Sequence, residues 1–342
     1  MRHVNIPIFI PHLGCPNQCI FCNQRHISGA SEFNENLVDS QIKEVLTTVT
    51  SDDECEIAFF GGSFTGIDRE LMVRLLDRAQ GYVDSKLVKS IRLSTRPDYI
   101  DDDIISILKN YTISFVELGI QSMNDDILKL LKRGHTTVDT LNACIKLKNA
   151  GFSFVGQMMV GLPGSTLSDE IYCAKRICEM GAAGARIYPT VVFRDTELSD
   201  WLNLCKYEPL SLDEAVERCA AVLDVFSDNN VSCIRIGLCD SENLHSDSTY
   251  IAGPNSPAIG EMVKSRVYLS KLFSLLDKAQ TNTDFLTIMC PKGAVSQIVG
   301  HRKSNIAKLK ERFGFKKIEI IEDAQLNAFE VKIIGKGGNT CD

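Results

Sequence analysis

Short apolar runs alternate with amphipathic stretches along the first half of the chain. The runs at 4–14, 55–61, 90–95, 114–121, 153–161 and 184–192 are rich in Ile, Val, Leu and Phe and have the length of buried strands. Between them, 37–50, 69–83, 101–110, 138–150 and 167–180 repeat apolar residues at helical spacing. This alternation predicts βα units joined into a parallel sheet of six strands. Glycines fall at strand ends (Gly14, Gly61, Gly62, Gly161 and Gly164), and no G-x-G-x-x-G fingerprint occurs. The pattern is that of an α/β barrel, which builds its site at the C-terminal ends of the strands.

The rhythm changes after residue 195. Helices are predicted at 212–229 and 258–279, with a strand near 232–238 and a polar loop at 239–257. TNTD at 281–284 reads as a linker. Beyond it come a strand at 285–290, a helix at 294–299, a turn at Gly300–Lys303, a helix at 304–313 and strands at 317–322 and 329–334. The expected division is a barrel at 1–195, a mostly helical extension at 196–279 and a small α+β unit at 280–336.

Charge separates these regions further. The chain of 342 residues carries a formal charge of −7, yet residues 292–336 carry +5 and the remainder −12. An acidic body with a basic tail suggests two jobs. No stretch approaches the roughly 18 apolar residues of a membrane helix, and the opening MRHVNIPIFIPHLG lacks a signal-peptide core. A cytoplasmic protein with no membrane partner is expected. Thirteen cysteines without a secretion signal argue against a disulfide framework.

Most of these cysteines lie singly in apolar patterns, but Cys15, Cys19 and Cys22 cluster just after the first strand. One loop with this spacing can wrap three corners of a [4Fe–4S] cube and leave the fourth iron open to a small molecule. A structural zinc site completed by His12 or His26 is the alternative. Strand parity places Glu117, Gly119 and Gln121 on one face, which should line the barrel interior, and by the same logic Arg186 and Tyr188 share a face of their strand. A buried Glu117 needs a partner, Arg186 or Arg96, unless it acts on substrate directly. Glu117, Arg186 and Tyr188 are therefore the candidate catalytic residues.

C-x3-C-x2-C with Phe21 before the last cysteine resembles the signature of radical S-adenosylmethionine (SAM) enzymes. The resemblance implies a partial (β/α)6 barrel, a [4Fe–4S] cluster and SAM as cofactors, and a reductant partner such as flavodoxin or ferredoxin. FFGGSF at 59–64 resembles the family's two-glycine motif, so Gly61 and Gly62 would meet the SAM amino group. Ser63 stands where many members carry Glu, leaving a backbone or hydroxyl contact. STRPDYI, LGIQS, KRGHT, MMVGLPG and IYPTVVFRDTEL resemble, in order, the catalytic subunit of Elongator, over roughly residues 5–235. Oxygen-independent coproporphyrinogen oxidase is more weakly similar. That similarity implies SAM contacts at Gln121 and Arg133, an amide at Gln157 in place of an acidic contact, and Leu162 against the adenine. Together these imply an enzyme that modifies RNA, specifically tRNA.

The resemblance to Elongator has limits. About sixty residues follow 280, too few for an acetyltransferase domain, so acetyl-CoA chemistry is not expected. VSQIVGHRKSNIAKL instead resembles a KH RNA-binding module. Its GXXG loop is Gly300-His301-Arg302-Lys303, with Lys303 in place of the second glycine. Two rival readings remain: a radical SAM enzyme on a small molecule or peptide with the tail as a docking unit, and a non-enzymatic zinc or RNA-binding adaptor.

Overall fold

The computed structural model describes residues 3–10, 13–15, 19–23, 33–50, 53–238, 249–279, 284–335 and 340–341. Seven strands form one parallel sheet in the order β1-β2-β3-β4-β5-β6-β8, curled into a half-barrel. They are His3–Ile10, Glu54–Gly61, Ser90–Thr95, Ile113–Gln121, Phe154–Val160, Gly184–Pro189 and Ser232–Ile236. The six strands expected from the apolar runs keep their chain order. The seventh, β8, was assigned to the helical extension; instead Ser232 pairs with Gly184 and extends the barrel. Its sequence, SCIRI, is mostly exposed or half-buried, as an edge strand with one neighbour permits. The other edge is β1, where Pro7 lacks an N–H to donate and is tolerated for that reason.

Parity divides each barrel strand. Ile6, Ile8 and Ile10 of β1, Ile57 and Phe59 of β2, Leu93 of β3 and Leu118 of β4 face the helices and are at most 2% exposed. Each such burial contributes about 1.5–3 kcal/mol relative to exposure. The opposite parity, His3, Glu56, Arg92, Glu117 and Arg186 among them, faces the lumen. Local chemistry fixes where the covering helices start. Thr136 with Asp139, Thr166 with Asp169 and Ser211 with Glu214 form capping boxes, each satisfying helix N–H groups that otherwise lack partners.

Val192–Phe193 (β7) pairs antiparallel with Tyr250–Ala252 (β9), inside a stretch expected to be loop. The helix Ile259–Ala279 then serves two cores. Ile259, Val263 and Val267 pack with the barrel, whereas Tyr268, Leu269, Leu272 and Leu276 pack with Leu286, Ile288, Ile298 and Leu309 of the last unit. That unit is a four-stranded sheet, β11-β10-β12-β13, with Thr340–Cys341 as β13, backed by the helices Val295–Val299 and Ser304–Phe313. Phe285–Pro291 (β10) runs parallel to Lys317–Asp323 (β11) and antiparallel to Lys332–Gly335 (β12). β12 starts later than the predicted residue 329 because Phe329 turns at φ 62° and gives its N–H to the Tyr268 hydroxyl at 3.1 Å. Among the described residues, no helix is long and apolar enough to cross a membrane.

Candidate active site

The cysteine loop is held by backbone contacts on both sides. Gly62 N–H donates to Ile10 O at 2.8 Å, and Ser63 N–H to Leu13 O at 3.2 Å. Only glycine allows this approach: a Cβ on Gly14 would lie 2.2 Å from Ser63 O, and one on Gly62 would lie 2.1 Å from Leu13 O. On the far side Ile20 N–H reaches Leu131 O at 3.2 Å, and Leu198 N–H reaches Ile20 O at 2.8 Å. The loop therefore joins the ends of β1 and β2 to the turn that carries Arg133. Burial pushes the Cys22 thiol up to about 12 and raises Cys15 as well. These sulfurs would become thiolates only with a bound cation to replace their protons. His12 and His26 lie outside the described residues.

Polar groups converge on this loop from the ends of β3 and β4. Arg133 is 8% exposed; its Nη1 lies 3.5 Å from Cys19 Sγ, and its Nη2 donates to Gly119 O at 2.8 Å. Gln121 sits at the β4 bulge with φ 67°, an uncommon conformation for a residue with a side chain. Its Oε1 is buried without a hydrogen bond, as are Arg133 Nε and Arg96 Nη1. Arg96 is paired not with Glu117 but with Asp98, at 2.7 and 2.9 Å, so the expected Glu117–Arg96 pair does not form. His135 is held neutral, its pKa pushed down to about 3 by burial and by the Arg133 and Arg96 charges. Ser63 is fully buried and its hydroxyl is shared with Thr95 Oγ1 at 2.8 Å and Arg96 N–H at 3.2 Å. Leu162 and Phe21 share one apolar cluster with Ile20, Ile127 and Leu131.

Below this mouth an ionic belt crosses the lumen. His3 Nε2 lies 3.0 Å from Glu56 Oε2 and Arg92 Nε 3.5 Å from the same oxygen. Arg92 Nη1 lies 3.3 Å from Glu117 Oε1, and Arg186 Nη2 donates to that atom at 2.8 Å. Arg186 Nη1 donates to the Tyr188 hydroxyl at 3.2 Å. Gln157 stands in register between Gly119 and Arg186. Buried polar atoms without a hydrogen bond concentrate here: of nine among the described residues, all but Asp224 Oδ1 belong to the mouth and the belt, where Glu56 Oε2 and Arg92 Nε are held by ion pairs instead. Those at the mouth, on Gln121, Arg133 and Arg96, can take a ligand or water.

The radical SAM superfamily model matches residues 9–174, and the Radical_SAM C-terminal domain model matches residues 182–269. The chain belongs to the radical SAM superfamily. It is an enzyme of that superfamily, whose cofactors are a [4Fe–4S] cluster and SAM. A tRNA uridine(34) acetyltransferase of Methanocaldococcus jannaschii is 30% identical over 185 residues, which cover 48% of this chain and 34% of that protein. Elongator complex protein 3 of Saccharomyces cerevisiae is 28% identical over 191 residues, 50% of this chain and 34% of its own. The chain thus spans about a third of the length of these curated relatives. The archaeal Methanocaldococcus infernus Elp3 with N-terminus deletion superposes with a TM-score of 0.59 at 20% identity, over 82% of this chain and 64% of that one; this likeness shows the fold. The reading as a non-enzymatic adaptor is overturned by the superfamily match.

This radical SAM chain fits its cofactors on its own geometry. Three thiols share one loop, a guanidinium touches one of them, and the amide of Gln121 and two guanidinium nitrogens around the loop lack partners. Outside the loop, a cavity of about 570 Å³ opens between Cys19, Cys22, Lys132, Glu197 and Asp200. Sequence reasoning missed Arg92, the central cation of the belt. Its signal was available: Arg92 shares the lumen parity of Glu56 and Glu117 on neighbouring strands. It also missed Glu170, which accepts from Gly161 N–H at 2.6 Å and from Arg218, and so clamps the turn after β5.

Proposed function

We propose that this enzyme binds a [4Fe–4S] cluster through Cys15, Cys19 and Cys22 and uses SAM to modify RNA, with tRNA as the substrate class. The chemistry those cofactors supply is reductive cleavage of SAM to methionine and a 5′-deoxyadenosyl radical, given an electron from a reductant such as flavodoxin or ferredoxin. Arg133 has one donor against Cys19 and another on Gly119 O, so it ties the cluster loop to β4. Gln121 offers its unfilled carbonyl, and Gly61 and Gly62 offer close backbone, to the polar end of SAM. Phe21 and Leu162 give the adenine an apolar neighbour, and Gln157 supplies an amide where a carboxylate would add charge. Glu117, Arg186 and Tyr188 form the lumen wall that faces substrate.

The observation that carries this reading is the convergence of unfilled buried polar atoms on the cysteine loop, in a chain that has a tRNA uridine(34) acetyltransferase among its curated relatives. The C-terminal unit supports the RNA partner. Its order β10, two helices, β11 and β12 is KH-like, and its Arg302 and Lys303 are exposed in left-handed backbone, φ 51° and 64°. We read 280–336 as this KH-like unit and 196–279 as an extension that returns one strand, β8, to the barrel of 1–195. The test is anaerobic reconstitution with iron and sulfide, then assay of 5′-deoxyadenosine with and without bulk tRNA. Four irons per chain and tRNA-stimulated cleavage are expected. Stoichiometric zinc without iron, or cleavage indifferent to tRNA, overturns the corresponding half of the proposal.

A further inference from the structure

Two phenylalanines on the lumen side of the barrel are not buried as their neighbours are. In the FF pair of β2, Phe59 points to the helices, is 1% exposed and stacks on Phe64 at 4.4 Å. Phe60 points the other way and is half-buried. Directly across the ladder lies Phe9, 36% exposed, with its ring centroid 6.3 Å from that of Phe60. Arg186 Cζ sits 5.7 Å from the Phe60 centroid, and the same guanidinium donates to the half-buried Tyr188 hydroxyl. The lumen layer nearest the cysteine loop is thus an aromatic wall with a guanidinium under one ring and a phenol beside it.

Resting on the RNA reading above, we infer that Phe60, with Phe9, is the stacking platform for the substrate's planar ring, a nucleobase turned out of a single-stranded RNA loop. The chemistry fits that class. Every base has a π-face, and stacking on an aromatic side chain is worth about 1–3 kcal/mol per base. A base extruded into a pocket is read by stacking and by polar contacts to its edge, and Tyr188 and Gln157 are the half-buried polar groups on the same wall. An aliphatic peptide side chain would need neither the ring pair nor the guanidinium beneath it.

The test uses the full chain, reconstituted with its cluster left unreduced so that no turnover occurs. Its probes are two anticodon stem–loop oligonucleotides, one with a loop uridine and one abasic at that position, with affinity read by fluorescence anisotropy. Wild type should prefer the uridine loop by about tenfold, the effect of one stacked base. Phe60→Ala should erase the preference and Phe60→Tyr should keep it, with iron content and melting temperature as controls of folding. Should Phe60→Ala fail to fold, Phe9→Ala on the exposed edge strand is read instead, and it should weaken the preference. An undiminished preference in a folded alanine variant overturns the inference, as does a wild type that binds both loops equally. A wild type that binds neither loop at about 50 mM salt, where phosphate contacts are strongest, sinks the RNA reading itself and this inference with it.

Discussion

The barrel lumen and the C-terminal unit both carry many charges, but they hold them in opposite ways. In the lumen Glu56, Arg92, Glu117 and Arg186 are at most 7% exposed and depend on one another. In the C-terminal unit Arg302, Lys303 and Lys308 are exposed over an apolar core, with solvent as their partner. Charges taken out of water are costly and persist where geometry and partners offset the desolvation; charges left in water cost little and act at range, subject to salt. The contrast separates a dry site for a small or extruded group from a wet surface suited to a polyanion.

The largest effect should come from breaking the belt. Glu117→Ala leaves two buried guanidinium groups without their shared carboxylate and should cost about 3–5 kcal/mol in denaturant unfolding. A loss below about 1 kcal/mol would mean the pair behaves as a surface pair does, and the contrast would collapse. Next in size is Arg133→Ala: the lost charge-assisted contact should weaken SAM binding at least about tenfold, read by equilibrium dialysis, while iron content stays near wild type. Unchanged SAM affinity would remove Arg133 from the site.

His135 gives a pH-dependent version of the same contrast. Its folded pKa, about 3, lies below the ordinary value of 6.5, so the unfolded chain takes up the proton first as pH falls. The stability from neutral His135 is full above about pH 6.5 and is lost toward pH 3, at up to about 1.4 kcal/mol per pH unit. His135→Asn should flatten that slope; equal slopes would place the ring in water. On the wet side, Lys310 Nζ donates to Lys316 O at 3.0 Å, so Arg302, Lys303 and Lys308 are the contacts expected under the proposed RNA binding. The logarithmic salt slope for single-stranded RNA should be about 2 and should fall in the Arg302→Glu, Lys303→Glu double variant without a change in melting temperature. The smallest effect belongs to Lys316→Ala, which breaks the exposed pair with Asp284; its unfolding midpoint should match wild type.

Legibility in the sequence followed the same division. The six strands β1 to β6 were readable because each is buried on its helix face and so runs apolar over several residues. β8 was readable as a strand near 232–238 but not as a member of the barrel sheet, because its pairing with β6 is a long-range choice that local pattern does not encode. The pair β7–β9 was missed because two- and three-residue strands leave no period to detect. Parity offered Arg186 or Arg96 as the partner of Glu117; that Arg186 and Arg92 take it turns on which strand face reaches across a curled sheet. Arg96 leaves β3 before Pro97 and turns back onto Asp98, a local choice that periodicity does not encode. The clustering of Cys15, Cys19 and Cys22 was legible from spacing, which left iron–sulfur and zinc both open, whereas the commitment of the Ser63 hydroxyl to Thr95 required the fold.

The helix Ile259–Ala279 has a practical consequence for anyone who would cut this chain at the linker after it. Its second half is greasy for the sake of the C-terminal sheet: Tyr268, Leu269, Leu272 and Leu276 would lose their cover together if residues beyond 280 were removed. A truncated barrel would therefore display a sticky seam about two turns long and would tend to self-associate, while the excised tail would lack one wall of its own core. The two units share that helix as a wall of both cores, so removing either one uncovers the other.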